Sequence, residues 1–97
     1  MFEIKFGDQG QIVMAGRFDA SQEGKADAIF DSIKEPVVVD MGGLDYISSL
    51  GLGILLKAEK RLKSAGGTGL KLVNVGPHIN DIFRYSGFSQ IFDIETR

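Results

Sequence analysis

Residues 2–6 alternate, placing Phe2, Ile4 and Phe6 on one face, the period of a half-buried strand. Gly7-Asp8-Gln9-Gly10 carries turn chemistry, and Gln11 to Ala15 reads as the second arm of a hairpin. Gly16-Arg17-Phe18-Asp19 leaves that strand. Ala26, Ile29, Phe30 and Ile33 then recur at helical spacing, which predicts a helix over residues 21–34 with one buried face. Its cap is Asp19, with Gln22 closing a capping box, or else Ser21. Pro36 ends the helix and opens Val37-Val38-Val39-Asp40, a short β-branched run that fits a central strand buried on both faces. Met41 to Ile47, with two glycines, reads as a connection. A second helix is expected from Leu50 to Ala65, stopped by Gly66-Gly67. Leu70 to Val75 is a strand, and Gly76-Pro77 starts a short helix with Ile79, Ile82 and Phe83 inside and Gly87 as C-cap. Gln90 to Ile94 is the last short strand.

The order is thus β-β-α-β-α-β-α-β. Strands separated by helices of this length imply parallel crossovers, while the first hairpin adds an antiparallel edge strand. The expectation is one α/β domain over residues 1–97, with a mixed, mostly parallel sheet and three helices. A chain of 97 residues with 43% apolar and 25% charged residues suits a single small core and argues against disorder. The net charge of −2 gives no electrostatic reason to expect nucleic acid as a partner. No apolar run approaches the roughly 18 residues of a membrane span, and the first residues lack signal-peptide character. A soluble cytoplasmic protein is expected. The absence of cysteine excludes disulfides and thiolate chemistry, and a lone His78 supplies neither a metal ligand set nor a triad. His78 reads as a surface or cap residue, and no cofactor or metal is expected.

Chemistry concentrates where the second helix begins, at Ser48-Ser49-Leu50-Gly51-Leu52-Gly53. A helix start presents unpaired N–H groups and partial positive charge, Ser is a preferred N-cap, and a phosphate there adds about −1.5 to −2 of charge. The junction is therefore a candidate switch or an ordinary cap. Gly51, Leu55, Ala58, Leu62 and Ala65 form one helix stripe, with Leu52, Leu56 and Glu59 beside it, enough to cover a sheet. Leu50 and Ile54 fall on another side, in line with Lys57 and Arg61. That is an apolar patch with a basic rim, suited to a protein partner, unless a tighter local fold hides both residues. Gly51 and Gly53 each cost about 1 kcal/mol relative to Ala inside a helix. They serve either close packing on the sheet or the approach of another molecule. The spacing is neither a P-loop nor a dinucleotide fingerprint.

At these residues the chain resembles a STAS domain, and more narrowly a bacterial anti-sigma-factor antagonist. Val37-Val38-Val39-Asp40 is similar to the family's aspartate-ended strand, and Tyr46 to Gly53 to its Asp-Ser-Ser-Gly-Leu-Gly loop and helix start. Gly16-Arg17-Phe18-Asp19 is similar to the family's Gly-x-Leu-Asp turn, and Leu70 to Phe92 to its closing elements. In the family, a kinase that doubles as the anti-sigma factor phosphorylates the serine after the motif's aspartate. The resemblance puts Ser49 at that position, ahead of Ser48, which stands where the aspartate usually is. Leu50 replaces the second family serine.

The resemblance implies a regulatory binding protein and not an enzyme: an antagonist that binds an anti-sigma serine kinase, releases a sigma factor and is switched off by phosphorylation of Ser49. A PP2C-type phosphatase is the implied reversal step. The partner-binding candidates are Asp19, Ser48, Ser49, Leu50, Gly51, Ile54, Lys57 and Arg61, with Asp19 equally readable as a helix cap. The alternative, favoured by the missing aspartate, is a STAS subunit that holds a transporter or sensory assembly together without phosphorylation. A small nucleotide-binding or weakly hydrolytic domain is a third reading, opposed by the lack of a P-loop. Oligomeric state is left open by the sequence.

Overall fold

The computed structural model describes residues 2–19, 21 and 23–97. Five strands, β1 (Phe2–Phe6), β2 (Ile12–Phe18), β3 (Val37–Ile47), β4 (Leu70–Val75) and β5 (Asp93–Thr96), form one sheet in the order β1-β2-β3-β4-β5. The β1–β2 hairpin is antiparallel, and every other neighbouring pair is parallel. The fold class is therefore the expected mixed α/β sheet with an antiparallel edge strand and three helices, α1 (Glu23–Asp31), α2 (Ser49–Ser64) and α3 (Pro77–Ser86).

Each parallel connection advances one strand in the same direction. Right-handed crossovers then place all three helices on one side of the sheet. Burial follows that geometry: Ile12, Met14, Val39, Met41, Leu70 and Leu72 are buried, whereas Val38 is 39% exposed and Lys71 is open to solvent. β3 is thus covered on one face, not two as its valine run suggests.

The segment from Met41 to Ile47, expected to be a connection, continues β3 to a length of 11 residues. Its inward residues are Val39, Met41, Leu44 and Ile47, so the period changes from two to three. The register explains why. Val13 to Ala15 on β2 faces Asp40 to Gly43 on β3, and Gly16 to Arg17 faces Leu44 to Tyr46. β3 carries one extra residue at each step, a β-bulge that re-aims the following side chains toward the core. Gly43 permits this because a Cβ there would lie 3.0 Å from the Ala15 Cβ. β2 is correspondingly longer than expected, reaching Phe18.

α1 is shorter than residues 21–34, because its C-terminal carbonyls find other partners. The Ser32 hydroxyl donates to the Ile29 carbonyl (2.6 Å), and Arg61 of α2 donates to the carbonyls of Phe30 (2.6 Å) and Ile33 (2.8 Å). At the other end Gln22 lies outside the described residues, and with it the expected capping box. α3 begins at Pro77 and ends at Gly87, whose φ of 81° is the left-handed conformation that glycine adopts readily. A 3₁₀ turn, Phe88–Gln90, then takes the start of the expected last strand, so β5 begins only at Asp93. That turn brings Phe92 edge-on to Phe83 at 5.7 Å and to Phe88 at 6.1 Å.

One charged residue is buried in the core among those described. Glu59 on α2 accepts the Leu70 N–H of β4 through Oε1 (2.7 Å) and pairs with the Lys63 ammonium through Oε2 (2.7 Å). An otherwise unpaired backbone donor at the start of β4 is satisfied from the helix above it.

Candidate functional site

The ends of β2 and β3 meet the start of α2. The Ser48 N–H donates to the Phe18 carbonyl (2.9 Å), which ties the two segments together. Gly51 lets the helix settle on that junction, since a Cβ there would come within 2.9 Å of Ile47 and 3.2 Å of Phe18. Close packing therefore explains Gly51. It does not explain Gly53, where a Cβ would meet none of the described residues within 4 Å.

The two serines play different parts. Ser48 is the N-cap: its backbone is extended, its half-buried hydroxyl accepts the Gly51 N–H at 3.2 Å, and its carbonyl accepts the Leu52 N–H at 2.9 Å. Ser49 occupies the first helical position, is exposed, and has no side-chain partner among the described residues. The backbone donors of Ser49 and Leu50 point out of the first turn, where a helix carries partial positive charge. No acidic residue occupies that turn.

Leu50 is 46% exposed, but Ile54 is 6% exposed. The two do not form an open pair one turn apart, because α1 packs beside α2 and closes over the second of them. The same packing absorbs the expected basic rim. The Lys57 ammonium lies 2.6 Å from Asp27 Oδ1 and 3.8 Å from Asp31 Oδ1, both on α1. The hydrogen bond to Asp27, with the charges of Asp27 and Asp31, raises the Lys57 pKa above its ordinary value despite some opposing desolvation and the charge of Arg61. Arg61 is half-buried and committed to the carbonyls of Phe30, in the last turn of α1, and Ile33, just beyond it. Both cations thus hold α1 to α2. Ala65, expected on the buried stripe, is exposed beyond the end of the helix.

Asp19 follows Phe18 directly and lies beside this junction in the chain. Its carboxylate accepts the Ser21 hydroxyl (2.6 Å) and the Ser21 N–H (3.1 Å). Those two bonds, hydroxyl first, lower its pKa, with a smaller contribution from Arg17. Asp19 is therefore bound to Ser21 ahead of α1, and the residue before Glu23 lies outside the described residues. Arg17 in turn stacks over the Tyr46 ring at 4.5 Å.

What remains open is a shallow groove of about 220 Å³ lined by Asp27, Ser49, Leu50, Gly53, Ile54 and Lys57. A larger depression of about 380 Å³ lies at the opposite end of β3, around Pro36 to Asp40. Its carboxylate is already engaged, Asp40 Oδ1 accepting the Gly42 N–H (2.9 Å) and the Asn74 amide (3.1 Å). Size favours that depression, but unengaged chemistry favours the helix start. Among the described residues no three His, Cys, Asp or Glu side chains converge as metal donors would, and no helix is long and apolar enough to cross a membrane.

The class defined by this architecture is a small two-layer α/β domain that presents an uncovered helix start at the C-terminal ends of parallel strands. The chain belongs to the STAS domain family, whose profile matches residues 11–97. It is 40% identical over 72 residues to BtrV of Bordetella bronchiseptica, a protein provisionally assigned as an anti-sigma factor antagonist. That match covers 74% of this chain and 61% of BtrV, so the chain spans less than two thirds of that relative. In fold it is similar to a provisionally assigned anti-sigma factor antagonist of Thermotoga maritima, with a TM-score of 0.79, 16% identity, and 99% of this chain and 86% of that chain covered. It is also similar to the Bacillus cell fate determinant SpoIIAA in its phosphorylated form, with a TM-score of 0.67, 18% identity, and 100% and 93% of the two chains covered.

Proposed function

We propose that this chain is an anti-sigma-factor antagonist whose first turn of α2 docks on an anti-sigma serine kinase, and that phosphorylation of Ser49 ends the contact. The observation that carries the reading is the uncommitted first turn. Ser49 is exposed and without a side-chain partner among the described residues, Leu50 is exposed beside it, and Gly53 leaves bare backbone that no described residue covers. Kinship with an anti-sigma factor antagonist supports the choice of partner.

The chemistry distinguishes the two hydroxyls. A phosphate on Ser48 would disturb the N-cap bond to Gly51, a contact of a kind worth about 1 kcal/mol. On Ser49 it would stand in solvent over the helix N-terminus, which tolerates an anion. Against a docked partner the same dianion must lose its hydration, and burial without a matched cation is unfavourable. Binding would change while the domain stays folded. A PP2C-type phosphatase, implied by the family resemblance, would restore the free hydroxyl.

The test is a titration against the cognate serine-kinase anti-sigma factor. Ser49→Ala should bind as the parent does, and Ser49→Asp at least about tenfold more weakly, the equivalent of about 1.4 kcal/mol. Equal, tight binding by both variants overturns the switch. Intact-mass measurement after incubation with kinase and ATP should show one phosphate on the parent and none on Ser49→Ala. A parent that binds but takes no phosphate favours the assembly-subunit reading, to which the serine at position 48 also points.

A further inference from the structure

β1 lies outside the residues that match the family profile and forms one margin of the sheet, with β2 as its only strand neighbour among the described residues. An unpaired strand edge offers a row of N–H and C=O groups to another chain. The opposite margin, β5, offers another. The two edges differ in the charges they carry.

β1 reads Phe2-Glu3-Ile4-Lys5-Phe6, a sequence whose charges are complementary to their own reverse. Glu3 and Lys5 are exposed on the face away from the helices, and neither has an ion-pair partner among the described residues. Across the hairpin they face only Ala15 and Val13. We infer that β1 is a self-complementary edge on which a second copy of this chain pairs antiparallel, about a two-fold axis through Ile4. That register sets Glu3 of each copy directly opposite Lys5 of the other, the arrangement in which cross-strand charges attract. On the helical face it sets Phe2 opposite Phe6, whose ring is 51% exposed and would be covered.

The same operation on β5 fails. Antiparallel pairing about Ile94 sets Asp93 against Glu95, both exposed and both acidic. Joining β1 of one copy to β5 of the next would leave an open edge at each end and bring Glu3 near acidic residues. A closed pair is available only through β1 on β1. Five residues of edge bury less than the roughly 1,000 Å² of a durable interface, so the pair is a weak, concentration-dependent dimer. It uses none of the residues proposed for the start of α2.

Sedimentation velocity on the full chain, from micromolar to millimolar concentration, tests the inference. The parent should move reversibly from monomer to dimer. Glu3→Lys and Lys5→Glu should each weaken the association about tenfold, since each places two like-charged pairs in the symmetric contact. The double variant Glu3→Lys/Lys5→Glu should restore it. Both side chains are exposed, and an unchanged circular dichroism spectrum confirms that each variant is folded. A parent that stays monomeric throughout, a dimer indifferent to the single changes, or a double variant that fails to recover overturns the proposal.

Discussion

In the first turn of α2, Ser49 and Leu50 face solvent and a Cβ on Gly53 would meet none of the described residues, whereas from Ile54 onward most side chains of the same helix are buried or paired with α1 and β4. Ile54 is closed over, Lys57 and Arg61 grip α1, and Glu59 reaches β4. One helix thus carries two regions with different obligations. The later turns hold the layers together, and their side chains have little freedom to serve a partner. In the first turn the Ser48 cap, the Gly51 contact and the buried Leu52 serve the fold, while Ser49 and Leu50 stay outside it. Substitutions should separate accordingly, with stability lost in one region and binding lost in the other.

The largest loss of stability is expected at Glu59. Glu59→Ala leaves the Leu70 N–H buried without an acceptor and takes the partner from the half-exposed Lys63 ammonium, which should cost about 3 kcal/mol. Thermal denaturation should show a fall in Tm of roughly 15 °C for a domain of this size. Glu59→Gln keeps an acceptor for Leu70 and should lose less. Arg61→Ala comes next, at about 2 kcal/mol, because two charged hydrogen bonds to the end of α1 disappear. If the division of α2 is right, Arg61→Ala that remains folded should bind the anti-sigma kinase within about twofold of the parent by calorimetry. A large binding loss there would return Arg61 to the contact surface and break the comparison.

Much of this division was hidden in the sequence for identifiable reasons. The five strands, three helices and glycine stops were legible because apolar period and turn chemistry agree locally. The far half of β3 is hard to read because its two bulges shift the apolar phase to Leu44 and Ile47, breaking the period of two after Met41. A helix wheel places Ile54 beside Leu50 and Lys57, but it carries no information about which neighbouring helix will cover that side. Glu59 sat next to a predicted apolar stripe, and that position was the available sign that it would be buried. Its partner, the Leu70 N–H, is set by the placement of β4, which periodicity does not reveal. The two serines are adjacent and chemically identical; the family resemblance ranks them by position, and the backbone at Ser48 with its bond to Gly51 gives the physical difference.

The smallest expected effect is the most discriminating. Gly53 sits inside a helix, where glycine is about 1 kcal/mol less favourable than alanine, and a Cβ there would touch none of the described residues. Gly53→Ala should therefore stabilise the free protein by about 1 kcal/mol and raise Tm by roughly 4–8 °C. If a partner lies against the bare backbone beside Ser49 and Leu50, the added methyl must occupy space the partner uses. Affinity should then fall while stability rises, two changes of opposite sign from one carbon atom. Gly51→Ala would not separate them, because its methyl would press on Ile47 and Phe18 and disturb the fold itself. A Gly53→Ala protein that is more stable and binds the kinase as tightly as the parent would place the contact elsewhere on the domain.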